Sequence, residues 1–193
     1  RVQIHWQVAE GERVAAGTVL ALLEGRSRAL VSAERSALNF LQTLSGTATT
    51  TAAHVEAVRG TGAMILDTRK TLPGLRLAQK YAVRAGGGGN HRLGLYDAVM
   101  LKENHIRVAG SVAAAIAAAR AAQPDLPLIV EVETLEQLRQ ALETGCDRIL
   151  VDDQMLRTTA ETAEAAVDGL AGLVGIIPVI LCIHTQNTAV AQK

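Results

Sequence analysis

After Gly60 the sequence settles into a repeating rhythm of short apolar run, loop and helical pattern, and this rhythm most restricts the folds open to it. The apolar runs are Ala63–Leu66, Ala98–Leu101, Leu128–Val130, Ile149–Val151 and Val174–Leu181. Helical patterns separate them: one near residues 75–85, one from Ser111 that halts before Pro124, one opened by the capping box Thr134-Leu135-Glu136-Gln137 and closed by Gly145, and one near 155–167. Strands this short and apolar alternate with helices when a parallel sheet is covered on both faces. The spacing predicts an α/β fold, an incomplete parallel α/β barrel. A doubly wound sheet is the alternative, but no strand here leads into a G-x-G-x-x-G turn. The run Gly86–Gly89 follows a helix instead.

Upstream the pattern differs. Val2–Trp6 alternates, Glu10-Gly11-Glu12 reads as a turn, and Val19–Leu23 runs into Gly25. This stretch is too small to stand alone. Residues 1–30 are therefore read as the remnant of an N-terminal β-containing domain, and 31–193 as an α/β barrel catalytic domain that lacks its last strands. A helix is expected from Ser32 to about Arg59, with Leu38, Leu41, Leu44 and Ala48 on one face. Gly46 and Thr49-Thr50-Thr51 are expected to break it in two.

Composition narrows the partners. Aromatic residues are 2% of the chain, which leaves little for base stacking and argues against nucleic acid. No apolar run approaches the roughly 20 residues needed to span a bilayer. Cys146 and Cys182 lack the paired spacing of a zinc site or disulfide framework, so both are read as free thiols suited to a reducing cytoplasm. Net charge is zero, yet cations crowd the segment from Arg69 to Arg107. Arg76, Lys80 and Arg84 are read as a solvated helix face; the remaining surplus points to a small polyanionic ligand.

In barrels the active site gathers at the C-terminal ends of the strands. The first predicted strand ends in Asp67-Thr68-Arg69-Lys70 and the second runs into Lys102-Glu103-Asn104-His105. The third closes on Glu131 and Glu133, the fourth on Asp152-Asp153. Arginines and lysines bind carboxylates and phosphates through charge-assisted hydrogen bonds. Acidic groups in the same pocket suit Mg²⁺ or sugar hydroxyls. No Ser-His-Asp or Cys-His arrangement supports a covalent nucleophile.

These residues are specific enough to resemble a family. Ala33–Asn39, Asp67–Arg76, Gln79–Arg84, Gly86–Leu95, Leu101–His105, Glu131–Glu133 and Val151-Asp152 closely resemble quinolinate phosphoribosyltransferases in order and spacing. A molybdenum-transport-associated family shares that fold but departs from the Asp67–Thr71 and Leu101–His105 stretches. The resemblance implies an enzyme that joins quinolinate to phosphoribosyl pyrophosphate with loss of pyrophosphate and CO₂, using Mg²⁺, in a homodimer with shared active sites. It implies that Thr68, Arg69, His91 and Arg92 bind substrate, the last three facing the two carboxylates of quinolinate. Lys70 and Lys102 are implied as contacts to phosphoribosyl pyrophosphate. Glu131 and Asp152 are the implied acidic pair on the ribose and its metal, and Arg35 the arginine donated across the dimer. Lys70, Lys102, Glu131 and Asp152 form the implied catalytic set. Beyond Asp153 the match fades: Cys182-Ile183-His184-Thr185 stands where the family has Glu-Ser-Ser-Gly. The glycine-rich phosphate loop of the family has no counterpart, so this chain alone is expected to turn over slowly, and a silent homologue that keeps anion binding and dimerisation is the competing reading.

Overall fold

A computed structural model describes residues 1–151 and 179–181. It divides into two compact units, Arg1–Leu93 and Gly94–Lys193. The helix expected near 155–167 and the residues Asp152, Asp153, Cys182 and His184 lie outside the described residues.

In the first unit, β1 (Val2–Trp6) and β2 (Ala21–Gly25) pair antiparallel, with Val2 opposite Gly25 and Trp6 opposite Ala21. The following helix, α1 (Ser27–Ala57), begins earlier than the sequence suggests and runs unbroken for 31 residues. Its start is hard to read because Arg26 occupies the cap without a side-chain hydrogen bond. The expected break at Gly46 and Thr49-Thr50-Thr51 does not occur, and two threonine hydroxyls turn back along the helix. Thr47 and Thr51 donate their hydroxyls to the carbonyls of Thr43 and Thr47, four residues back, at 3.2 and 2.9 Å. The strand expected at Ala63–Leu66 reduces to one parallel bridge between Leu66 and Gly89. Gly89 N–H donates to Ile65 C=O and Asp67 N–H to Gly89 C=O, at 2.8 and 3.1 Å, and the pairing extends no further. α2 (Arg76–Ala85) follows, ending at Gly86 as expected.

The second unit holds a parallel sheet: β3 (Val99–Leu101), β4 (Leu128–Val132), β5 (Arg148–Val151) and β6 (Val179–Leu181). All three pairings are parallel and spatial order follows chain order. That sequential order without reversal is barrel-like; a doubly wound sheet turns back at a switch point. The connections carry α3 (Glu103–Ala109), α4 (Val112–Ala122) and α5 (Leu135–Glu143). The incomplete parallel α/β arrangement is thus the observed one.

Side-chain parity sorts the sheet into two apolar faces. Leu101, Leu128, Val130, Val132, Ile149 and Val151 pack on the helices through Ile106, Val112, Ile116 and Leu138. The alternate set, Ala98, Met100, Ile129 and Leu150, forms a separate cluster on the other face. Strands apolar on both faces are what a covered parallel sheet requires. Cys146 is a buried free thiol, and burial raises its pKa. Asp147 beside it accepts from Leu128 N–H and from Arg120, which lower its pKa in that order.

Half of the expected capping box at Thr134 forms as written. Its hydroxyl accepts from Gln137 N–H at 3.2 Å, while Gln137 Oε1 accepts from Glu133 N–H at 2.8 Å rather than from the cap residue itself. No described helix is long and apolar enough to cross a membrane.

Candidate functional site

The cationic segment of the first unit is organised around a buried carboxylate. Asp67 pairs with Lys80 Nζ, and both side chains are almost sealed from water. Asp67 Oδ1 also accepts from His91 N–H at 2.8 Å, and Oδ2 from Asn90 Nδ2 at 2.5 Å. Lys80 Nζ donates in turn to His91 C=O at 2.9 Å, and Lys80 C=O accepts from Asn90 Nδ2 at 2.9 Å. The backbone of His91 is therefore gripped from both sides by one ion pair. A buried pair needs such extra hydrogen bonds to offset its desolvation. This corrects the reading of Lys80 as a solvated side chain.

Arg76 is also no solvated side chain. It is half-buried at the start of α2. Its Nε donates to Thr71 Oγ1 at 3.3 Å, Nη2 to Arg69 C=O at 3.3 Å and Nη1 to Leu93 C=O at 3.4 Å. Only Arg84 stays exposed as expected, with its guanidinium 5.9 Å from the centre of the Tyr81 ring. Two loops result, 67–71 and 90–93, tied to α2 by Lys80 and Arg76. They present Arg69, half-buried, with a buried Nε that meets no acceptor among the described residues. Half-buried His91 and Arg92 lie on the second loop, while Thr68 and Lys70 are exposed on the first. The Thr68 hydroxyl accepts from Lys70 N–H at 3.0 Å and shapes the turn. Between residues 67 and 92 stand Arg69, Lys70, Arg76, Lys80, Arg84 and Arg92 against the single acid Asp67, which Lys80 already neutralises. The loops can hold a small anion.

The second unit carries its own charged pair. Glu131 has the parity of Ile129, so it stands on the sheet face away from the helices. Leu101 is level with Val130 in the parallel register, which puts Lys102 level with Glu131. The two side chains form an ion pair. Glu131 is mostly buried and Lys102 nearly half exposed. Lys102 also caps α3, a helix that the sequence reading missed; His105 Nδ1 accepts from the Lys102 N–H at 3.0 Å. Glu133, grouped with Glu131 by sequence, lines a separate cavity of about 300 Å³ with Glu103, Ile106, Arg107 and Gln137. Among the described residues no cluster of three His, Cys, Asp or Glu side chains could hold a metal alone. Arg35 is exposed in the third turn of α1. With the helix starting at Ser27 rather than Ser32, Arg35 lies beyond the first turn, over which the helix dipole acts.

Comparison with known proteins places these features. Residues 47–176 match the C-terminal domain of quinolinate phosphoribosyl transferase, and residues 1–45 match its N-terminal domain. The chain belongs to the quinolinate phosphoribosyl transferase family. Carboxylating nicotinate-nucleotide pyrophosphorylase of Mycobacterium leprae is 51% identical over 151 residues, covering 78% of this chain and 53% of that protein. The probable enzyme of Bacillus subtilis is 50% identical over 145 residues, covering 75% and 50%. Crystallised NadC of Streptococcus pyogenes superposes with a TM-score of 0.84 at 43% identity, over 95% of this chain and 63% of that one. The nicotinate-nucleotide pyrophosphorylase of Francisella tularensis gives 0.84 at 41% identity, over 94% and 62%. This family member thus spans about half the length of the curated relatives that it matches.

Proposed function

We propose that the protein carrying this chain transfers a phosphoribosyl group from phosphoribosyl pyrophosphate to quinolinate and decarboxylates the product to nicotinate mononucleotide. Family membership and the pair of cation-bearing loops held on Asp67, Lys80 and Arg76 support this reading. In it, Arg69, His91 and Arg92 face the two ring carboxylates, with Thr68 shaping the loop. Guanidinium forks match planar carboxylates, and an immobilised ligand reacts as if intramolecular. Lys70 and Lys102 contact the phosphates. Glu131 and Asp152 face the ribose, where negative charge stabilises the cationic carbon formed as pyrophosphate leaves. The pyridine nitrogen then bonds that carbon. The ring becomes cationic, takes up the electron pair released with CO₂, and is protonated at the vacated carbon.

Magnesium fits this donor set in one way. Mg²⁺ is commonly held by one or two carboxylates with substrate phosphates completing its shell. Glu131 and Asp152 would supply the carboxylates, and the ion would neutralise the departing pyrophosphate. Self-association into a homodimer, with Arg35 reaching a neighbouring site, completes the proposal.

The test is nicotinate mononucleotide formation from quinolinate, phosphoribosyl pyrophosphate and Mg²⁺, with CO₂ release followed in parallel. Product and CO₂ should appear in equal amounts, and chelation should abolish both until Mg²⁺ is restored. Ribosylation without CO₂ release, or equal use of nicotinate, would overturn the reading.

A further inference from the structure

We infer that Arg76 is a positioning residue that fixes the separation of Arg69 and Arg92, and thereby sets the preference for a ring bearing two adjacent carboxylates over a ring bearing one. The inference rests on the quinolinate reading of the two loops. Its observation is that one planar group spans both of them. Arg76 Nη2 reaches the carbonyl of Arg69 itself, Nε reaches Thr71 in the same loop, and Nη1 reaches the carbonyl of Leu93, next to Arg92. Residues 67–71 have no helix or strand to hold them beyond the bridge at Leu66. The second loop is gripped at His91 by Asp67 and Lys80, but that grip does not reach Arg69. Arg76 ties the carbonyls that belong to, or adjoin, the two arginines.

The placement of Arg76 agrees with this role. It is the first residue of α2, where a cation opposes the helix dipole, so the helix itself gains nothing from it. Its three bonds are each at the long end of the hydrogen-bond range, so the effect lies in their joint geometry rather than in any one. Lysine could not substitute, because its donors all leave one nitrogen, whereas the three guanidinium nitrogens are spread over a rigid plane and reach Thr71, Arg69 and Leu93 together. Two carboxylates on neighbouring ring atoms are a rigid pair. A shift of one guanidinium cannot be taken up by the ligand, whereas a single carboxylate simply follows the arginine that binds it.

Calorimetric titration separates these cases. Quinolinate, pyridine-2-carboxylate and pyridine-3-carboxylate are each titrated into the unsubstituted protein and into Arg76→Gln, Arg76→Lys and Thr71→Val. Arg76→Gln should weaken quinolinate about tenfold and each monocarboxylate less than about twofold, as expected when one partner of a coupled pair is displaced. Arg76→Lys should keep the charge but not restore the preference. Thr71→Val should shift the ratio in the same direction by less, and it carries the test if Arg76→Gln does not fold. An unchanged ratio of affinities, or equal loss for all three ligands, would overturn the role of Arg76 while leaving the quinolinate reading intact. A lack of dicarboxylate preference in the unsubstituted protein would overturn both.

Discussion

Lys80 is only 4% exposed, and a buried ammonium persists only where a counter-charge and acceptors replace water. Asp67 and the carbonyl of His91 provide them. Replacing Lys80 by Met leaves the Asp67 carboxylate buried without its cation, which should cost about 3–5 kcal/mol in urea unfolding. Asp67→Asn alone should also destabilise. The double variant Asp67→Asn with Lys80→Met should lose less than the sum of the two, by more than about 1 kcal/mol, because neither charge is then stranded. Strict additivity would show that the pair is not coupled. Sequence could not expose this pair. Arg76, Lys80 and Arg84 recur at every fourth position of α2, the spacing of a solvated stripe. What separates Lys80 from Arg84 is contact with residues 13 and 11 positions away in the chain, and helical periodicity carries no trace of such contacts.

Glycine at two helix positions should respond to alanine with opposite signs, because the surroundings differ. Gly46 lies exposed inside α1 with nothing near the place its Cβ would occupy. Gly46→Ala should therefore stabilise by about 0.5–1 kcal/mol through lost freedom of the unfolded chain. Gly86 ends α2 against α1. A Cβ there would come within 2.8 Å of the Thr51 side chain and still nearer the Ala48 carbonyl. Gly86→Ala should cost about 1–3 kcal/mol as overpacking between the helices. Thermal unfolding of both variants checks the pair; equal shifts would refute the packing role of Gly86. The run Gly86–Gly89 was legible only as a helix stop. Its closeness to α1 depends on tertiary contact. Strands β3, β4 and β5 were legible because each contains a short apolar run, Ala98–Leu101, Leu128–Val130 and Ile149–Val151, set between helical patterns and, before β5, after the helix stop Gly145. α3 was not, because its capping residue Lys102 is not a usual N-cap and its Glu-Asn-His start reads as loop. The strand expected at Ala63–Leu66 failed for the opposite reason. It has a strand's composition, but the structure gives it only the Gly89 bridge as a partner.

At the scale of the whole molecule, the first unit exposes apolar side chains that water does not favour. Trp6 on β1 is 62% exposed, and Val31 and Phe40 on α1 are 72% and 55% exposed. Arg35 stands between those two in sequence and is exposed as well. Scattered apolar residues are ordinary on a surface, but in the proposed homodimer those along the hairpin and α1 would be covered by another copy. A self-associated protein in which Arg35 completes a neighbour's site has a distinctive kinetic signature. Arg35→Ala and Arg69→Ala should each abolish turnover alone. Mixed after dissociation and reassembly, half the dimers pair one variant with the other, and in each of these one site receives both alanines and the other neither. Activity should then return to about a quarter of the unsubstituted level, the fraction set by random pairing in a twofold dimer. Mass measurement by light scattering would verify reassembly before the assay. Sites completed within one copy would give a different result, since every site would still lack one arginine and mixing would restore nothing. Verified heterodimers without activity would therefore remove Arg35 from the neighbouring site and leave the exposed face of α1 to serve association alone.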